Sequence, residues 1–135
     1  MNEVYKHSNG AKLFVSGRNF NWSNLPMKIQ TAIFVSAESP PLTSKDVIYF
    51  PFENRFGAPS EEILQIAWKA WRCAKTAEKD LDLYKNVVIV GHEGRNRPAL
   101  VAAIAMKYLS PTKDMEEIIK EIQSQCAESL SNNLF

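Results

Sequence analysis

The sequence predicts a single α/β domain with a central, mostly parallel sheet flanked by helices. Three observations lead there. Strand-like and helix-like segments alternate along the chain, as in βαβ proteins. The run V-V-I-V at residues 87–90 is continuously β-branched, the pattern of a strand covered on both faces. That run passes through a turn containing two glycines and two arginines directly into a small-residue helix: V-V-I-V-G-H-E-G-R-N-R-P-A-L-V-A-A-I-A, residues 87–105. With 135 residues, 45% of them hydrophobic and 23% charged, the chain is expected to form one soluble globular body with a buried core. Residues 1–128 are assigned to that domain and residues 129–135 to a C-terminal tail.

Residues 12–16 (K-L-F-V-S) read as the first strand and residues 31–35 (T-A-I-F-V) as the second. Residues 19–27 between them have the composition of a turn or short helix, and Phe20 and Trp22 are expected to pack against the first strand, with an exposed contact as the alternative. Pro40 and Pro41 break the chain after the second strand. A short third strand spans residues 47–50, followed by the loop P-F-E-N-R-F-G-A-P at residues 51–59, long enough to be functional. Ser60 caps a helix running to about Glu78, with Glu61 and Glu62 at the positive end of its dipole. Its apolar residues Ile63, Leu64, Ala67, Trp68, Trp71 and Ala74 recur at helical spacing and are assigned to the core. The charged stretch 75–85 leads to the fourth and central strand, residues 87–90. Residues 98–109 form the next helix, with Pro98 in the first turn where its missing N–H costs nothing. A last amphipathic helix at about 112–125 places Met115, Ile118, Ile119 and Ile122 on one side.

Composition excludes several functions. A net charge of +1 gives no general basic surface for nucleic acid. No apolar run approaches a membrane span, and the N-terminus lacks the basic-then-apolar pattern of a signal peptide, so a cytoplasmic location is expected. Cys73 and Cys126 lie in amphipathic segments, the placement of buried thiols. With His7 and His92 the only histidines, no metal site and no cofactor are expected.

The turn at residues 91–97 aims backbone N–H groups and a guanidinium at one point, the arrangement by which proteins hold phosphate. The residue at its start, Gly91, offers no nucleophile. The order of elements, together with Gly94 and Arg97 in the turn, resembles the compact dual-specificity phosphatases of the cysteine-dependent phosphatase superfamily across nearly the whole chain. The family's signature is His-Cys-x-x-Gly-x-x-Arg-Ser/Thr. Aligned on Gly94 and Arg97, the cysteine position is Gly91, the histidine position Val90 and the hydroxyl position Pro98. The stretch Ile48-Tyr-Phe-Pro-Phe-Glu-Asn54 resembles the family's strand and Pro-x-Glu-Asp loop, with Asn54 at the aspartate position and Glu53 structural. The segment P-T-K-D-M-E-E-I-I-K-E-I resembles the closing helix.

The resemblance implies a mechanism that these residues do not perform. A thiolate would attack phosphorus, and an aspartic acid would protonate the leaving oxygen, a step worth about two to four powers of ten in rate. Gly91 and Asn54 supply neither, so the chain reads as a natural pseudophosphatase with no catalytic residue. What the turn retains is a ligand-binding set: His92, Glu93, Gly94, Arg95, Asn96 and Arg97, with Arg97 as bidentate clamp. A Glu93 carboxylate turned inward would compete with an anion, while His92 and Arg95 at the rim offset it. The double change Gly91→Cys with Asn54→Asp is the substitution expected to bring back weak activity.

Three functions stay open at this point. One is an inactive binding module for a phosphoprotein or another phosphate-bearing ligand. The second is a scaffold or assembly protein with partner surfaces elsewhere. The third is a diverged phosphoester hydrolase using His92.

Overall fold

The computed structural model describes residues 2–17, 28–35, 46–49, 60–91 and 97–125. Their order is β1 (Asn2–Lys6), β2 (Lys12–Ser16), β3 (Thr31–Phe34), β4 (Asp46–Tyr49), α1 (Ser60–Asp82), β5 (Val87–Val90), α2 (Arg97–Leu109) and α3 (Met115–Gln125). The five strands form one sheet in the order β1-β2-β5-β3-β4. β2, β5, β3 and β4 run parallel, and β1 lies antiparallel on the outer edge of β2. β5 is central, as its unbroken β-branched run requires: all four of its residues are buried, and Val87 aligns with Leu13 on one side and Thr31 on the other.

The strand alternation divides the core in two. Leu13, Val15, Ile33, Val87 and Ile89 face one way, where they meet α1, α2 and α3. Phe14, Ala32, Phe34, Val88 and Val90 face the other way and form a second buried cluster with Ile29. Helix packing on the first face is set by small residues. Ala70, Ala74 and Ala77 of α1 and Ala99, Ala102, Ala103 and Ala105 of α2 are buried, so the two helix backbones approach each other and the sheet closely. α3 closes the layer with Ile118 and Ile122, fully buried at i and i+4. Asp114 caps it, accepting from the Glu116 N–H at 3.0 Å. Met115 and Ile119 are partly buried beside the core.

Three expectations change. The sequence reading assigns no element before residue 12, but residues 2–6 form β1. The signal is Asn9-Gly10, a turn pair: Gly10 takes φ 95°, and the Asn9 Oδ1 accepts from the Ala11 N–H at 2.9 Å. Secondly, α1 does not end near Glu78 but continues to Asp82, because Ala77 and Leu81 extend its buried stripe. It stops with Tyr84 at φ 64° while the Lys85 and Tyr84 N–H groups return to Asp80 O and Leu81 O, a Schellman closure. The third change concerns the core face of α1. Ala67 is exposed, and Trp68 and Trp71 are 52% and 40% exposed rather than core. The buried stripe is Ala70, Cys73, Ala74, Ala77 and Leu81, because the narrow space against α2 admits alanine and excludes indole. Phe50, Pro40, Pro41, Cys126, the stretch 19–27, the loop 51–59 and the tail 129–135 lie outside the described residues.

Asn86, one residue before β5, joins the starts of three strands. Its Oδ1 accepts from the Lys12 N–H at 2.9 Å and its Nδ2 donates to Lys28 O at 2.8 Å. Its main-chain N–H donates to Gln30 Oε1 at 2.7 Å, and its carbonyl accepts from Gln30 N and Thr31 N. Asn86→Ala strands a main-chain donor on β2 and an acceptor before β3, so it is expected to lower unfolding stability by about 2 kcal/mol. Chemical denaturation of the two proteins measures this, and an unchanged midpoint would contradict it.

Candidate functional site at the end of the central strand

The parallel ladders run to the last residue of β5 and release the chain at one edge. The Gly91 N–H donates to Ser16 O at 3.0 Å, and the Val35 N–H donates to Val90 O at 2.9 Å. Gly17, Val35 and Gly91 therefore leave their strands side by side at the carboxyl edge of the sheet, where open α/β folds bind ligands. After five intervening residues the chain returns as α2, which opens on Arg97.

The two ends of this connection touch. A Cβ placed on Gly91 would lie 2.7 Å from Pro98 Cγ and 2.8 Å from Pro98 Cδ, with Val35 Cγ2 at 3.5 Å. Real Cβ atoms do not occupy such positions, and a pyrrolidine ring bonded to its own backbone cannot swing aside. Gly91 is not in the left-handed region, so glycine is required here by space and not by backbone conformation. Proline placement in the first turn was legible in the sequence; its contact with a residue seven positions earlier was not.

Arg97 is half-buried and already partnered at the first position of α2. The first turn of α2 carries no carboxylate, in contrast to α3, which begins with Glu116 and Glu117. Arg97 thus stands at the positive end of the α2 dipole, and the described first turn adds no acid beside it. Of the sequence-predicted site residues, Gly91 and Arg97 stand at the two ends of the loop. His92, Glu93, Gly94, Arg95 and Asn96, together with Asn54, lie outside the described residues.

Cys73 is the described cysteine, and it is buried in α1. Burial pushes its thiol from 9.0 up to about 12, against a smaller downward pull from Arg72. That is opposite in direction to the shift of a nucleophilic thiolate. His7 is also engaged structurally: its Nδ1 accepts from the Asn9 N–H at 3.0 Å while Nε2 meets Asp82 Oδ1 at 2.8 Å, tying the β1–β2 turn to the end of α1. Among the described residues, no group of three or more His, Cys, Asp and Glu side chains converges as a metal site, and no helix is long and apolar enough to cross a membrane.

This architecture is shared with known phosphatases. Human DUSP28 superposes with a TM-score of 0.71 at 12% identity, over 96% of this chain and 85% of its own. The tyrosine phosphatase OH1 of Orf virus gives 0.73 at 12% identity, over 96% of this chain and 78% of its own. A mouse putative dual-specificity phosphatase complexed with zinc tungstate gives 0.59 at 13% identity, over 75% and 60%. The fold is dual-specificity-phosphatase-like. No protein-family model and no curated protein sequence matches the chain.

The phosphatase-like fold makes the Gly91–Pro98 contact a testable constraint, and it amends the expectation that a cysteine at 91 together with Asn54→Asp brings back activity. Gly91→Ala is expected to cost about 1–3 kcal/mol by overpacking. In a Pro98→Ala background the same change should cost less by at least about 1 kcal/mol, a coupling read from a double-mutant cycle of denaturation midpoints. Additive costs would show that the ring yields. For Cys73, in a Cys126→Ser background, Ellman's reagent should label the chain only after unfolding. The unfolded thiol ionises near 9.0 and the folded one near 12, so this thiol leaves stability intact below pH 9.0 and removes it progressively as pH rises between those values. Rapid labelling of the native chain at neutral pH would contradict the assigned burial.

Proposed function

We propose that this chain is a pseudophosphatase, a phosphatase-like module that holds a phosphorylated protein or another phosphate-bearing ligand at residues 91–97 without cleaving it. The observation that carries the reading is the packing of Gly91 against Pro98. At the strand end where the resemblance implies a thiolate, the sequence supplies hydrogen and the neighbouring ring takes the space a Cβ would need. Asn54 at the acid position supports the same reading, since an amide does not deliver a proton.

Binding is favoured for three reasons. The α2 N-terminus and Arg97 are both positive, and no acid occupies that first turn. Replacing a thiolate by glycine removes a repulsion on a phosphate dianion of about 1 kcal/mol in water and about 4 kcal/mol at protein-surface dielectric for charges about 4 Å apart. The mouse putative dual-specificity phosphatase of similar fold is complexed with zinc tungstate, and tungstate is, like phosphate, a tetrahedral oxyanion.

A phosphorus NMR titration with phosphate, phosphotyrosine, phosphoserine and nucleotides reads binding and turnover together. The expected result is broadening or shifting of one or more ligand signals, loss of that effect in Arg97→Ala, and no release of inorganic phosphate. Released phosphate that disappears in His92→Ala would make the chain a hydrolase instead. Unchanged spectra with every ligand would leave the scaffold role.

A further inference from the structure

The two tryptophans expelled from the core form part of an organised surface on the side of α1 away from the sheet. Trp68, Trp71 and Tyr108 are 52%, 40% and 45% exposed, and Leu83 at the far end of the face is 54% exposed. These side chains are held in place. The Trp71 Nε1–H donates to the Tyr108 hydroxyl at 2.5 Å, bridging α1 and α2. The Lys75 ammonium lies 4.5 Å from the Tyr108 ring centre, and the Arg72 guanidinium lies 5.3 Å from that of Trp68. Beside them runs an open groove of about 600 Å³ lined by Trp71, Arg72, Lys75, Glu78, Lys79 and Leu83.

Charge decides what this face fits. Of its two carboxylates, Glu78 pairs through one oxygen with Lys75 at 3.3 Å, and Asp82, 54% exposed at the end of the groove, meets His7 Nε2 at 2.8 Å, so three cations, Arg72, Lys75 and Lys79, stand against two acids. Arg72 and Lys79 are exposed cations seven positions apart on the same face, about 10 Å along the helix. Exposed Trp, Tyr and Arg, fixed before any partner arrives, are the residue types that dominate binding energy in protein interfaces, and pre-ordering lowers the entropy cost of association. We propose that this α1–α2 face docks an acidic segment of a partner protein, with carboxylates on Arg72 and Lys79 and an apolar side chain in the groove beside Trp71. The site shares no residue with 91–97 and stands whether or not that loop binds phosphate.

Fluorescence anisotropy with three labelled peptides of equal length, alternating Glu-Leu, Gln-Leu and Lys-Leu, tests the proposal on the full chain. The Glu-Leu peptide should bind with an affinity that falls as salt rises, and the other two at least about tenfold more weakly. Arg72→Glu with Lys79→Glu, and separately Trp71→Ala, should each weaken the Glu-Leu peptide about tenfold or more while circular dichroism stays native. Arg72→Gln is the milder variant, expected to weaken binding without any risk to the fold. Equal binding of Glu-Leu and Gln-Leu peptides, or binding indifferent to the charge reversals, would overturn the proposal. So would a concentration-dependent dimer in sedimentation that Trp71→Ala abolishes, because a second copy would then be the occupant.

Discussion

The Asn86 side chain sets the register on which the rest of the structure depends. Parallel strands cannot be aligned by a tight turn, since their connections are long and pass out of the sheet. In this chain one amide joins the start of β2 to the approach to β3 from the first residue before β5, and its backbone pairs with Gln30 and Thr31. With the starts level, three strands of equal direction also end level. Gly17, Val35 and Gly91 consequently leave the sheet together, and a loop is presented at its carboxyl edge.

At that edge the packing leaves no room for a side chain on Gly91. Gly91 lies under the Pro98 ring, and α2 can begin there because its alanines let it descend onto the sheet and onto α1. The same alanines explain the surface. Close helix contact leaves no room for indole, so Trp68 and Trp71 turn outward, where Tyr108 and Arg72 hold them. One economy of volume thus shapes both the contact of Gly91 with Pro98 and the aromatic face on the far side of α1.

Much of the sheet was legible because its signals are local. The β-branched run of β5, the β2 and β3 strands and the proline-started α2 all lie within a residue or two of their expected bounds. β1 was signalled by Asn9-Gly10, but its strand has only one buried residue, Val4, and too little apolar alternation to stand out. The core face of α1 was misread because hydrophobicity and periodicity rank tryptophan above alanine, whereas the interface selects by size. At the candidate site, Gly91 and Arg97 could be named from spacing, but the contact between Gly91 and Pro98 spans a loop and has no sequence period.

By itself the sequence determined the α/β class, the central strand, the glycine at the strand end and the proline in the first turn of the following helix. Each is a matter of local composition, propensity or chain order. Tertiary structure alone decided that Pro98 occupies the space above Gly91, that Asn86 joins three strands, and that the tryptophans of α1 face solvent. Those outcomes depend on distances between residues far apart along the chain or across the sheet, and close packing sets such distances only once all the elements are in place.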